Sequence, residues 1–165
     1  MWDVELAVWS LTMMALGGTA VLPQNQGSID PDGLQPNRNL ILWPYSRWQD
    51  PRLHLHDDFV LVEGQPMLPP CKLGALNRHG WLGYQRGDSL FLKQFQPQPE
   101  ADHIDMGCNA EIYVNDEFLE LETLSPLTRL APGAALQHTE TWTFISGLGT
   151  AVSSDQLRQT LAQLV

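Results

Sequence analysis

Ala110-Glu111-Ile112-Tyr113-Val114-Asn115-Asp116-Glu117-Phe118-Leu119-Glu120-Leu121-Glu122-Thr123-Leu124 is the stretch on which the fold turns. Two strand-like runs, Ala110 to Val114 and Glu117 to Leu124, flank Asn115-Asp116, a two-residue hairpin signal because both residues tolerate positive φ. The strand period of two places Phe118, Glu120, Glu122 and Leu124 on one face and Leu119, Leu121 and Thr123 on the other. The hairpin therefore offers an apolar face to a core, and two carboxylates project from the other side of one strand.

The same punctuation runs outward in both directions. Twelve Pro and thirteen Gly in 165 residues leave segments mostly too short for long helices. Val4 to Leu11 is apolar on both alternating faces and reads as a buried strand turned by Gly17-Gly18. Thr19 to Leu22, Leu40 to Trp43, Phe59 to Glu63, Cys71 to Leu76, Trp81 to Gln85 and Ser89 to Phe95 read as further strands, in the manner of a meander. Gln24 to Asn37 is a long polar loop, Ala131-Pro132-Gly133-Ala134 a turn, and Leu136 to Ile145 a long final strand. One helix is expected over about 153–164, opened by a Ser153-x-x-Gln156 capping box, with Leu157, Leu161 and Leu164 on one stripe. The expectation is one all-β domain over 1–165, an antiparallel β-sandwich with one short C-terminal helix.

Nine Lys plus Arg against nineteen Asp plus Glu give a formal charge of −10, which repels nucleic acid and anionic membrane surfaces. Neither is expected as a partner. Val4 to Leu22 is interrupted by Gly17, Gly18 and polar residues, so it does not read as a membrane span. Asp3 and Glu5 stand where a secretory leader would be basic. Cys71 and Cys108 show no staple or zinc spacing, and a cytoplasmic chain with two free thiols is the expectation.

Several groups could carry chemistry. His54-Leu55-His56 followed by Asp57-Asp58 has the ingredients of a His-x-His metal site. No further ligand stands at a telling spacing, so the ordinary role of histidine on a loop rim is favoured, and no metal or cofactor is expected. Among six tryptophans, Trp9 and Trp142 lie in apolar strands and read as core. Trp43, Trp48 and Trp81 sit near Arg47, Lys72 and other charged residues, and flat aromatic faces beside hydrogen-bonding groups suit a sugar ring. Half-buried packing at strand ends is the competing reading. His138 and Glu140 share a face of the last strand, as a metal-binding pair or a cross-strand surface pair. Walker, GxGxxG, GxSxG and HExxH motifs are all missing from the sequence.

Trp9-Ser10-Leu11-Thr12 running into Gly17-Gly18, Trp43-Pro44-Tyr45-Ser46-Arg47 and Gly80-Trp81-Leu82-Gly83-Tyr84 occur in that order. Leu119-Glu120-Leu121-Glu122-Thr123-Leu124-Ser125-Pro126, Leu130-Ala131-Pro132-Gly133 and His138-Thr139-Glu140-Thr141-Trp142 follow. From Trp9 to Phe144 this set resembles the galactose mutarotase-like (aldose 1-epimerase) superfamily, in an uncharacterised branch. The resemblance implies a sandwich of the large mutarotase type, of which this chain is similar to the C-terminal half. It also implies a sugar-binding cleft on one sheet, with Glu122 at the position of the general base and Asp105 as the candidate sugar-binding aspartate. The family's catalytic histidine has no counterpart in the matching segment.

Three functions follow as expectations. The leading one is a carbohydrate-binding protein, non-catalytic as this chain alone, with Trp43, Arg47, Lys72, Trp81, Asp105 and Glu120 around the sugar. The alternative is an aldose 1-epimerase-like enzyme with Glu122 as base and an acid from His54 or His56. The third is a truncated assembly protein without a ligand. Open strand edges left by half a sandwich favour a homo-oligomer.

Overall fold

The second strand of the quoted hairpin, β11 (Phe118–Leu124), fixes the architecture, because it pairs on both sides. The computed structural model describes residues 2–149 and 154–161. In it β11 lies between β10 (Ala110–Val114) and β2 (Trp9–Ala15), and β7 (Cys71–Ala75) and β4 (Ile41–Leu42) complete a five-stranded sheet in the order β2-β11-β10-β7-β4. A six-stranded sheet packs on it. Its order is β13 (Glu140–Ile145), β9 (Ser89–Phe95), β8 (Trp81–Arg86), β3 (Thr19–Pro23), β6 (Phe59–Glu63) and β5 (Leu53–Leu55). Every pairing is antiparallel. The protein is an all-β antiparallel sandwich, as the strand spacing implies.

The alternation places the core. Leu73, Ile112, Val114, Leu119 and Leu121 from the narrower sheet meet Leu22, Val60, Val62, Leu82 and Phe91 from the wider one. The other face of the wider sheet is apolar too, through Val21, Leu61, Trp81, Leu90 and Leu92, and the helix Ser154–Leu161 covers it with Leu157 and Leu161. This explains why β3, β6, β8 and β9 read as nearly continuous apolar runs: theirs is the middle of three layers. The expected helix is present; its proposed cap Ser153 and the stripe residue Leu164 lie outside the described residues. Gly18 lets the chain pass close to β8, since a Cβ there would come within 2.4 Å of the Gln85 carbonyl and 2.6 Å of the Tyr84 ring.

Four local readings are corrected. The chain is not a meander: consecutive strands mostly alternate between the sheets, and β8–β9, β10–β11 and β5–β6 are the neighbours in sequence that pair. Val4 to Leu11 is not one buried strand. It divides into β1 (Val4–Leu6), which forms an exposed ribbon with β12 (Thr128–Leu130), and β2, whose residues alternate between exposed and half-buried because it ends its sheet. The final strand begins at Glu140 rather than Leu136. In the decisive hairpin neither Asn115 nor Asp116 has positive φ. Asn115 Oδ1 instead accepts from the backbone N–H groups of Glu117 and Phe118, both at 2.8 Å, an Asx turn that a right-handed backbone can make.

Candidate functional site

Hairpin register brings Glu111 directly opposite Glu122, and the next strand pair sets Lys72 beside them. All three point to the outer face of the five-stranded sheet, away from the core. Lys72 Nζ donates to Glu122 Oε2 at 2.8 Å and lies 2.7 Å from Glu111 Oε2. Trp9 Nε1 donates to the same Glu122 oxygen at 2.6 Å. The ammonium also stands 5.0 Å from the Trp9 ring centre and 4.6 Å from that of Trp43, within cation–π reach of both.

Local backbone contacts put each group in place. Ser46 Oγ accepts from Lys72 N–H at 2.7 Å and donates to Lys72 O at 2.8 Å, while Trp43 N–H donates to that carbonyl at 3.3 Å. The Trp43–Ser46 segment is thus pinned to β7 at Lys72, which holds the indole over the cation. Opposite Glu111 stands Gly74, where a Cβ would meet Cys108 Sγ at 2.8 Å and Glu111 Cγ at 3.0 Å, so glycine leaves the space in which the glutamate side chain lies.

Burial governs the electrostatics. Glu111 and Glu122 are 0% exposed, and Glu111 Oε1 and Glu122 Oε1 accept no hydrogen bond among the described residues. Burial drives the Glu111 pKa up to about 8 against the pull of Lys72. Burial works against the charge on Lys72, but the two glutamates outweigh it and hold the ammonium above its ordinary value. Glu120, on the same face as Glu122, is raised first by burial and then by its neighbour's charge. Beside the cluster, Asp105 (φ 51°) and Met106 (φ 60°) in the one-turn element Ile104–Gly107 adopt left-handed backbone, an arrangement costly for Met. Asp105, Met106 and Trp43 line a hollow of about 280 Å³. Burial pushes the nearby Cys108 thiol up to about 12; Cys108 and Cys71 are both free and buried.

The sequence-predicted residues divide between two sides of the molecule. Glu122, Lys72, Trp43, Glu120 and Asp105 gather at the outer face of the five-stranded sheet. Arg47 is exposed on the loop that follows Trp43. Trp81 belongs elsewhere: it packs at 6.0 Å on Phe59 in the core beneath the helix, and rims a cavity of about 480 Å³ with His79 and Gln24 on the far side of the sandwich. His54 also departs from the cluster, pairing with Glu63 at 2.8 Å on β5, the far edge of the wider sheet. His56 follows that same strand, so neither histidine reaches Glu122. No group of three His, Cys, Asp or Glu suited to a metal occurs among the described residues.

Trp9 and Trp142, read as core, are 51% and 57% exposed because each sits on a sheet-edge strand. Trp9 and Glu111 are the site members that strand-by-strand reading missed. Glu111 was accessible through the hairpin register, which sets it across from Glu122; Trp9 needed the knowledge that β2 pairs with β11. His138 lies before the last strand and Glu140 opens it, yet both turn inward, where Thr123 Oγ1 bonds both and Lys93 pairs with Glu140 at 2.9 Å.

No helix among the described residues is long and apolar enough to cross a membrane. No family model, no curated protein and no solved structure matches this chain.

Proposed function

We propose that the outer face of the five-stranded sheet binds a carbohydrate, with Trp43 and Trp9 as stacking walls and Lys72, Glu122 and Asp105 as polar contacts. One observation carries the reading. A lysine ammonium lies between two indole faces above two buried carboxyl groups that still have unused acceptor oxygens. Indole faces cover the C–H side of a sugar ring and the Lys72 ammonium takes a hydroxyl, while the buried Glu111 and Glu122 carboxyls meet the ligand only when an indole swings aside. The resemblance to mutarotase-like proteins at Glu122 supports the same ligand class.

Titration of the intact chain with a panel of aldohexoses, followed by tryptophan fluorescence and calorimetry, tests this. Saturable binding is expected, and Trp43→Ala weakens it about tenfold or more, the worth of one aromatic stacking contact. Trp43 is only half-buried, so the variant keeps a near-native melting temperature. A folded chain that binds none of the sugars defeats the reading.

The raised pKa of Glu111 favours a second reading, an epimerase. A carboxyl that keeps its proton at neutral pH can give it to the ring oxygen as the C1–O5 bond opens, while Glu122 takes the proton of the C1 hydroxyl. Reclosure on the other face of the aldehyde returns both protons. Polarimetry separates the two readings. A mutarotation rate above buffer that both Glu111→Gln and Glu122→Gln abolish identifies the enzyme, and sugar binding without such a rate identifies a binding module.

A further inference from the structure

Two sheets of unequal width leave a step along one side of the sandwich. β2 ends the narrower sheet and β13 ends the wider one. The β13 side chains Trp142 and Phe144 reach Phe91, at 5.7 and 5.0 Å between rings, and then meet open space, being 57% and 72% exposed. Alongside, β2 turns out Trp9, Leu11 and Met13, 51%, 43% and 65% exposed. The seven residues Trp9–Ala15 contain no charge, no proline and no glycine, so this edge lacks the devices that keep strand edges from pairing. The opposite sheet ends are blunted: β4 has two residues and β5 three.

We propose that this stripe is the interface of a symmetric dimer, covered by the same stripe of a second copy. Size is the first argument. At roughly 100 Å² for each half-exposed aromatic and somewhat less for Leu11 and Met13, the five side chains offer about 400–500 Å², more than half of the ≈800 Å² per partner in a stable complex. The edge main chain and its flanks supply more. Mutual fit is the second. A two-fold interface needs projections and hollows on one patch. Here the projecting rings adjoin a hollow of about 260 Å³ lined by Met13, Met14, Phe91 and Phe144. Charge is the third. Two copies of a chain at −10 repel over most of their surface, whereas the seven residues of β2 carry no charge. This inference does not rest on the carbohydrate reading, and it competes with it for Trp9, which the dimer covers.

Sedimentation equilibrium of the full chain from nanomolar to high micromolar concentration tests it. A dimer of the 18.5 kDa chain is expected at micromolar concentration, with tryptophan emission shifting to the red on dilution as Trp9 and Trp142 regain water. Met13→Lys and Phe144→Glu alter exposed positions, so circular dichroism stays native, and each weakens dimerisation about tenfold or more, the effect of losing a central contact. A monomer at the highest concentration overturns the proposal. So does a dimer whose dissociation neither variant changes, or a mass that grows without limit. A monomer that binds a peptide spanning residues 8–16 assigns the edge to an extended segment instead, and overturns the dimer equally.

Discussion

Glu111 has no exposed surface and shares one cation with another glutamate, so burial holds its proton up to about pH 8 in the folded chain, where an ordinary glutamate releases it at 4.5. Between those values the unfolded chain loses the proton while the folded chain keeps it. The contribution of Glu111 to stability is therefore fully present below pH 4.5 and lost as pH rises through 8. Glu111→Gln has nothing to release. Its melting temperature should fall less than that of the native chain between pH 5 and 9, a difference on the order of a few kcal/mol in stability. Parallel pH profiles of the two proteins would remove the basis for a protonated Glu111. The residue types at this site were legible: Glu122 and Lys72 stand out as charges inside strand patterns. That they meet was not, because contact between Lys72 and Glu122 depends on two successive strand registers.

β13 is an edge strand, and a buried polar clasp fastens it across the sandwich. Lys93, itself 0% exposed, donates to Ser10 O at 3.0 Å, Thr12 Oγ1 at 2.9 Å and Leu121 O at 3.0 Å, and pairs with Glu140. Burial lowers the Lys93 pKa despite that pairing. Burial likewise works against the charge of Glu140, yet the Thr123 hydroxyl and Lys93 keep its pKa below the ordinary value. Lys93→Met leaves the Glu140 carboxylate without its cation and should cost about 3–5 kcal/mol in urea unfolding. Lys93→Met combined with Glu140→Leu should recover much of that loss, since a buried pair replaced by apolar groups is often near neutral. A single variant as stable as the native chain would show that the clasp contributes nothing. Period-two reading set His138 and Glu140 on one strand face; His138 lies before the strand, and the two side chains converge only because both reach Thr123 from the inner side.

Across the whole molecule, three layers decide which tryptophans are structural. Trp81 lies between the wider sheet and the helix, 7% exposed, so Trp81→Ala should cost about 3–5 kcal/mol and lower the melting temperature sharply without acting through the Lys72 cluster. A mild loss of stability, with sugar affinity gone, would return Trp81 to the ligand. The helix that covers it was legible from Leu157 and Leu161, and the sandwich from the short alternating segments between Gly and Pro. The layer order was not, since a strand buried on both faces looks the same whichever element covers it.

By itself the sequence determined the all-β class, the approximate position of most strands, the Pro132-Gly133 turn and the pairing of faces within each strand, because side-chain alternation and turn chemistry are local. Only the tertiary structure decided that Trp9 and Trp142 are edge residues, that Trp81 and the histidines His54 and His56 lie away from Glu122, and that Glu111, Lys72 and Trp9 converge on it. The physical reason is that register and sheet order arise from contacts between segments far apart in the chain. One residue of slip exchanges the two faces of a strand, and no local pattern records which neighbour a strand will find.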